Sequence, residues 1–327
     1  MKKEMLRNGL FITLTLILLA IFLTSIYSTN DKNNKEVTLI SHDSFVISPD
    51  LINEFEKTSG FKLRLLKAGD AGALTNKLIL TKNSPIADVV FGIDNTLESK
   101  ALKAKLIDGD LRATDYGDVC FNYDKYWFAE KKIVPPKSVN DLILPAYRKL
   151  VVIENPNTSS TGLSFLAATT DKYGSSWQKY WLALKENDVK VDDGWDKAYN
   201  IDFSGSAGKG KFPIVLSYAT SPAAEVRNGE SQIANILDGC FRQTEFVGLL
   251  NRAKNKKGAK ALIDFLLDKR FQSSFPETMY MYPINDQANI PNDWKKFNSE
   301  PSRTYGDNLD FANQSETWLK EWNKIFA

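Results

Sequence analysis

The sequence predicts an α/β fold of two lobes with a ligand cleft between them. At 327 residues the chain exceeds the usual size of a single-core domain, so two lobes are the default expectation. Short β-branched segments alternate with segments of helical periodicity, which is typical of largely parallel sheets. Two extended segments, residues 119–123 (VCFNY) and 241–246 (FRQTEF), are placed to carry the chain out of the first lobe and back.

The strand-like segments fall into two groups. The strands are predicted at 37–40, 61–66 and 88–91, and then at 149–153, 189–191, 214–218 and 241–250. We assign residues 36–119 and 246–327 to lobe 1, with the C-terminal helices near the hinge, and residues 120–245 to lobe 2. Because ligands of open α/β sheets collect beyond the carboxyl ends of strands, the loops that follow these strands are predicted to line the cleft.

The composition is that of an ordinary globular protein, with 43% hydrophobic and 25% charged residues. The chain has 42 basic and 40 acidic residues, a formal charge of +2. Nucleic-acid binding favours a clear basic excess or stripe, so no nucleic-acid partner is expected.

The first 35 residues have the pattern of an export signal. Lys2, Lys3 and Arg7 precede an uncharged apolar run at 10–26, and a polar stretch follows it. The run is close to the minimum length of a membrane span, so a cleaved signal peptide and an uncleaved signal anchor both remain open. Either way, we expect the rest of the chain to work in the periplasm or on the outer face of the cytoplasmic membrane.

The chain has two cysteines, Cys120 and Cys240. An exported protein can pair them in a disulfide, and two free buried thiols are the alternative. The sequence does not decide between these states.

Several strand-end motifs together resemble one known family. The motifs are SHDSF (41–45), ADVVFGIDNTL (87–97), ENPNTSSTGL (154–163), DGWDKAY (193–199), IVLSYATSP (214–222) and MYMYPIN (279–285). Their order and spacing resemble those of the thiamine-binding solute-binding proteins of bacterial ABC importers. The resemblance implies a hinge-bending periplasmic binding protein fold of type II, and thiamine, thiamine phosphate or thiamine diphosphate as ligand. It also implies a membrane permease as partner, a monomer, and no cofactor.

The resemblance also places the ligand contacts. They fall on Asp70, Ala71, Ser159, Ser160, Trp195, Tyr218, Ala219, Thr220, Ser221 and Tyr280. The aromatic side chains suit a thiazolium cation, since cation–π contacts are worth roughly 0.5–2 kcal/mol. Ser159 and Ser160 open a helix, where backbone N–H groups favour an anion such as phosphate. As a structural alternative, Asp70 and the two serines are typical helix N-caps.

His42 and Asp94, in two further strand-end loops, complete the candidate set. The chain departs from the family at three places, because His42 and Ala224 stand where tyrosine is usual and Tyr280 where tryptophan is usual. The predicted cleft is therefore less aromatic than the family's. The choice among thiamine, its phosphates and a related heteroaromatic cation stays open.

Other classes of function are less well supported. The sequence has no G-x-S-x-G, P-loop or H-E-x-x-H motif. Its one histidine is followed by Asp43, and adjacent side chains of a strand diverge, so we expect no enzyme and no metal site. A same-fold receptor for a polyamine or ferric ion remains an alternative, as does a surface-anchored protein that has lost its ligand.

Overall fold

A computed structural model describes residues 35–208 and 210–327, except for the side chain of residue 293. The predicted leader therefore lies outside the described residues, apart from Lys35. Within the described ranges, no helix combines the length and the apolar character that crossing a membrane requires.

Most strands belong to one mixed sheet with helices on its faces. The strands are β1 (Glu36–Ser41), β2 (Lys62–Lys67), β3 (Val89–Asp94), β4 (Arg112–Asp124), β5 (Val151–Glu154), β6 (Lys190–Asp192), β7 (Ile214–Tyr218), β8 (Val226–Arg227), β9 (Glu230–Ser231), β10 (Ile233–Leu249) and β11 (Tyr282–Pro283). The order in the sheet is β2-β1-β3-β10-β4-β7-β5-β6, with β11 added beside β4, while β8 and β9 form a separate hairpin.

The helices follow the strands in the alternation that the sequence predicts. They are α1 (Pro49–Ser59), α2 (Ala71–Thr81), α3 (Glu98–Lys103), α4 (Lys125–Lys131), α5 (Ser160–Tyr173), α6 (Trp177–Glu186), α7 (Trp195–Lys197), α8 (Ser221–Ala224), α9 (Lys256–Leu266), α10 (Lys269–Gln272), α11 (Phe275–Met279), α12 (Asn292–Phe297) and α13 (Phe311–Phe326). A π-helical turn, Ala198–Asp202, continues α7, and 3-10 turns occur at Asp141–Ile143, Pro145–Tyr147 and Gly174–Ser176.

Two long antiparallel strands join the two halves of the sheet. β10 pairs with β3 through its last residues, and β4 pairs with β7 through its own last residues. The first half, β2-β1-β3, and the second, β7-β5-β6, are each parallel. The predicted α/β fold with two lobes and two crossing segments is therefore confirmed, whereas the lobe boundaries stay a prediction.

Both crossing strands are longer than the sequence indicates. The prediction covered residues 119–123 and 241–250, but the strands span 13 and 17 residues. Polar residues and glycines at 112–118 and 233–240 break the apolar alternation. These segments are nevertheless extended because the two strands pair with each other along most of their length.

Cys120 of β4 and Cys240 of β10 form a disulfide. It lies beside the shift in the β4–β10 register between Ile236 and Phe241. Of the two states that the sequence left open, the structure has the bonded one.

Candidate binding cleft

A cavity of about 230 Å³ lies between the two halves of the fold. Its walls come mainly from the segments that follow β1, β2, β5 and β6, from the end of β7, and from the chain around α11. The lining residues are His42, Asp43, Ser44, Val46, Asp70, Ser160, Thr161, Trp195, Asp196, Asn200, Tyr218, Glu245, Thr278, Met279, Tyr280 and Met281. The volume is somewhat below the range for small-molecule sites, roughly 300–1,000 Å³.

Half of the twelve residues that the sequence singled out line this cavity. They are His42, Asp70, Ser160, Trp195, Tyr218 and Tyr280. The other six, which are buried behind the lining, are Ala71, Asp94, Ser159, Ala219, Thr220 and Ser221.

Three of the residues behind the lining hold the wall in place. Ser159 is the N-cap of α5, and its hydroxyl accepts a hydrogen bond from the Gly162 N–H. Thr220 donates its hydroxyl to the carbonyl of Tyr280. Ser221 accepts from the Tyr218 N–H at 3.3 Å. These residues therefore act on the cavity through their neighbours.

Four aromatic rings form one side of the cleft. Trp195 stacks on Tyr199 with the ring centroids 4.9 Å apart and the planes at 12°. Tyr218 and Tyr280 approach Trp195 at 6.1 and 6.0 Å. The Trp195 indole N–H donates to the Ser217 hydroxyl at 2.8 Å, which fixes the ring orientation. The sequence predicted the three lining rings but missed the supporting Tyr199.

The two halves touch across the cleft at α2. The Asp70 carboxylate caps this helix by accepting from the Ala71 N–H at 2.6 Å, and its second oxygen accepts from the Trp195 N–H at 2.8 Å. The Ala73 N–H also donates to the Thr158 carbonyl at 2.9 Å. The structure thus confirms Asp70 as a helix N-cap, and the same carboxylate bridges the cleft, whereas its contact with a ligand stays a prediction.

Glycine makes this close approach possible. A Cβ on Gly72 would lie 2.7 Å from the backbone carbon and oxygen of Thr158. A Cβ on Gly194 would lie 3.1 Å from the side chain of Asp70.

Glu245 and His42 lie together at one end of the cavity, where the His42 Nε2 is 3.4 Å from the Glu245 Oε1. Burial by itself lowers the pKa of His42, but the charge and contact of Glu245 outweigh it, so the pKa lies above its ordinary value of 6.5. The His42 Nε2 makes no well-formed hydrogen bond within the described part of the chain. Behind the pair, burial and the negative charge of Glu245 raise the pKa of Asp115 well above its ordinary range.

A second buried network links Tyr218 to Asp94 through Gln243. The Tyr218 hydroxyl donates to the Gln243 Oε1 at 2.8 Å, and the Gln243 amide donates to Asp94 at 2.6 Å and to Ser160 at 2.8 Å. Burial raises the pKa of Asp94 to about 7. The other oxygen of Asp94 accepts from the N–H groups of Thr96 and Leu97, so Asp94 organises the turn after β3.

The sequence reasoning missed Gln243 and Glu245, which stand in the crossing segment β10. Residues two apart share one face of a strand, and Phe241, Gln243 and Glu245 are all buried. Two polar residues on the same face as a buried aromatic were the available signal. No group of three or more His, Cys, Asp or Glu side chains within the described ranges is placed to hold a metal ion.

Comparison with known proteins gives the family. The family model of the bacterial extracellular solute-binding proteins matches residues 89–303. The thiamine-binding periplasmic protein of Salmonella typhimurium is 29% identical over 320 residues, covering 89% of this chain and 93% of that protein. The Escherichia coli protein of the same name is 28% identical over 315 residues, with the same coverage.

Solved structures agree with the fold. A periplasmic thiamin binding protein matches with a TM-score of 0.76 and 26% identity, over 89% of this chain and 96% of that one. The apo ferric ion-binding protein A of Pasteurella haemolytica, at 17% identity, a TM-score of 0.69 and coverage of 89% and 98%, shares the fold. The resemblance found in the sequence and the type II fold are thereby confirmed, and the chain belongs to the bacterial extracellular solute-binding proteins.

Proposed function

We propose that the protein captures thiamine or a thiamine phosphate outside the cytoplasmic membrane and delivers it to the permease of an ABC transporter. The observation that carries the proposal is the cavity between the lobes, whose lining includes three aromatic rings and several carboxylates. The names of relatives 29% and 28% identical over most of the chain support the same ligand.

The chemistry of the lining suits a flat heteroaromatic cation. Trp195, Tyr218 and Tyr280 offer ring faces or edges, and a desolvated cation–π contact is worth up to about 2 kcal/mol. Asp70 and Glu245 supply negative charge to balance the thiazolium ring. Asn200 and Ser160 add polar side chains that can read the edge of the aminopyrimidine.

Binding couples to closure of the two lobes. The lining comes from both halves of the sheet, so only the closed form offers all of these contacts to one ligand. A ligand that binds the closed form better shifts the equilibrium toward it. The permease then recognises the closed shape of a monomer.

A binding role accounts for the cleft better than catalysis. Asp43, the neighbour of His42, accepts a hydrogen bond from the Gly69 N–H instead of orienting the imidazole. The acidic neighbour of His42 is Glu245, with the His42 Nε2 3.4 Å from its carboxylate, so the imidazole faces a carboxylate inside the lining.

A polyamine is the second candidate ligand. The sequence offered only two cleft carboxylates, but four line the cavity: Asp43, Asp70, Asp196 and Glu245. Several carboxylates are what a ligand with two or more positive charges requires.

The test is calorimetric titration of the purified protein with thiamine, thiamine phosphate, thiamine diphosphate and spermidine. We expect tight binding of at least one thiamine form, and a loss of about 1–3 kcal/mol for Trp195→Ala if the ring stacks on the ligand. Trp195→Phe, which keeps an aromatic face, should lose less. Binding of spermidine alone would replace the proposal by its alternative, and binding of none of the four would refute both.

A further inference from the structure

We propose that α4 and the loop after it, residues 125–137 (KYWFAEKKIVPPK), form a docking surface for the headgroups of an anionic membrane. We call these residues the α4 surface. The proposal goes beyond the capture of a solute, and it does not depend on which ligand the cleft takes.

An open groove of about 440 Å³ runs along the α4 surface. Its walls are mainly apolar, and the lining residues are Tyr123, Lys125, Phe128, Ala129, Lys132, Ile133, Val134 and Pro135. Val134 is 69% exposed, and Tyr126 on the same helix is 53% exposed. Large apolar side chains that are exposed beside one groove, instead of being scattered singly, are typical of an interaction site.

The apolar loop is held in its exposed position. The Tyr147 hydroxyl donates to the Val134 carbonyl at 2.9 Å, and the Ile133 N–H donates to the Phe128 carbonyl at 3.2 Å. Phe128 is buried in the core, and the two prolines that follow Val134 have fixed φ angles. The Val134 side chain therefore cannot turn inward without breaking these contacts.

The α4 surface is also basic. It contains four exposed lysines and one glutamate, whereas the formal charge of the whole chain is only +2. Among the residues that the structure describes, Lys131 is the only one of the four lysines in an ion pair, and its partner is Glu130. Lys125 donates to a backbone carbonyl. The charges of Lys125, Lys132 and Lys137 therefore have no carboxylate partner in the described part of the chain.

The acidic residues that flank the segment in the sequence are bonded to the backbone. Asp124 is the N-cap of α4 and accepts from the Tyr126 and Trp127 N–H groups, both at 3.0 Å. Asp141 accepts from the Lys137 N–H at 2.8 Å. Because these carboxylates are engaged with backbone donors, the lysine ammonium groups stay available to an external anion.

A membrane with anionic headgroups matches both properties of the surface. Valine, tyrosine and tryptophan side chains can enter the interfacial region, while lysine ammonium groups remain beside the phosphates. Each lysine near such a membrane strengthens association roughly fivefold. A nucleic acid would engage the lysines but leave the groove uncovered, and an uncharged protein surface would leave the lysine charges uncompensated. An anionic lipid surface is therefore the occupant that the charge and the apolar groove favour together.

Vesicle sedimentation of the full chain tests the proposal, with vesicles of phosphatidylcholine alone and of phosphatidylcholine mixed with phosphatidylglycerol. One variant, Lys132→Gln with Lys137→Gln, removes two charges from the α4 surface. A second, Val134→Ser, removes its most exposed apolar side chain. Because all three residues are exposed or lie on an exposed loop, we expect both variants to fold as wild type does, which thermal unfolding checks.

The controls make the same changes on α1 and α2. Lys57→Gln with Lys77→Gln removes two exposed lysines, and Leu80→Ser replaces a leucine that is 86% exposed. The net charge and the number of exposed apolar side chains therefore change equally in each variant and its control. The leader is the same in all of these proteins, so a difference between them reports on the α4 surface.

We expect wild type to prefer the phosphatidylglycerol vesicles, and the preference to weaken with added salt. The double lysine variant should bind them roughly 25-fold more weakly than wild type. Val134→Ser should bind roughly 5- to 10-fold more weakly, because it loses the apolar contact. Both controls should stay within about twofold of wild type, since their residues lie outside the proposed contact.

Hydrogen exchange of residues 125–137 gives a local readout that does not depend on whether the leader itself binds vesicles. Exchange there should be slower with phosphatidylglycerol vesicles than with phosphatidylcholine vesicles. Equal exchange with both would overturn the proposal, and so would controls that lose as much vesicle binding as the matched variants. A wild-type dimer that Val134→Ser dissociates, seen by light scattering, would assign the surface to a second copy of the chain instead.

Discussion

Replacing Gly72 with alanine should prevent full closure of the cleft without destabilising either lobe. The added methyl group would lie 2.7 Å from the carbonyl carbon and oxygen of Thr158, and both are backbone atoms that cannot rotate away. The lobes must then separate locally. Two hydrogen bonds across the cleft are lost with this separation, from the Ala73 N–H to the Thr158 carbonyl and from the Trp195 N–H to the Asp70 carboxylate.

The loss in the free energy of closure follows from the two lost hydrogen bonds. A neutral hydrogen bond contributes about 1 kcal/mol and one to a charged group about 1.5–3 kcal/mol, so closure becomes less favourable by roughly 2.5–4 kcal/mol. Because ligand affinity includes the free energy of closure, the affinity should fall by roughly 100- to 1,000-fold. The open, ligand-free form has neither bond across the cleft, so its free energy of unfolding should stay the same or rise by at most about 1 kcal/mol, since alanine is the better helix former.

Titration calorimetry measures the first effect and denaturant unfolding the second. Leu80→Ala is the control, because Leu80 is 86% exposed on the same helix and lies away from Thr158. Gly72→Ala with wild-type affinity would refute the reasoning, and so would a loss of affinity that is matched by a loss of stability.

Three further predictions follow from individual contacts. Asp70→Asn keeps an N-cap side chain but replaces the carboxylate oxygen that accepts from the Trp195 N–H with an amide group that is itself a donor. It should weaken ligand binding by roughly 10- to 150-fold in calorimetry and leave the thermal midpoint nearly unchanged. Reducing the Cys120–Cys240 disulfide, which spans a separation of 120 residues, should lower the free energy of unfolding in urea by about 5 kcal/mol. Because its pKa is raised in the folded protein, His42 should stabilise the fold below pH 6.5, and this stabilisation should be lost as the pH rises through the folded-state pKa. The difference in free energy of unfolding between wild type and His42→Gln, measured against pH, checks this.

Each of these has a result that contradicts it. Asp268→Asn changes the N-cap of α10 in the same way without a bond across the cleft, and an equal loss of affinity there would remove the special role of Asp70. For the disulfide, equal urea midpoints in oxidised and reduced protein would count against the expected stabilisation. A stability difference that grows with pH would show that the sign assigned to His42 is wrong.

The strand-end loops were predictable from the sequence because short motifs determine them locally. Trp195 and Tyr218 follow or end short strands, and both line the cavity as the strand pattern indicates. Asp70 was recognisable as a cap from its position before a helix, but its bond to the Trp195 N–H depends on how the lobes meet.

The remaining features depend on pairing between distant segments. The strand alternation places Glu245 on the same face as Phe241, but its burial depends on β10 running between β3 and β4. The pairing of Cys120 with Cys240 likewise depends on the β4–β10 register and its shift near residue 240. A local pattern therefore determines neither the burial of Glu245 nor the pairing of the cysteines.

The disulfide changes the covalent connectivity of residues 120–240. It joins the two ends of that stretch, so the stretch is a closed ring attached to the rest of the protein at one point. The ring contains β5, β6 and β7 with their helices, whereas β1, β2 and β3 lie outside it. When the strands outside the ring unfold, the disulfide still holds residues 120 and 240 together, and the chain that contains the parallel strands stays closed. In the unfolded, oxidised protein, residues 120–240 are therefore a closed loop, and the rest of the chain is open.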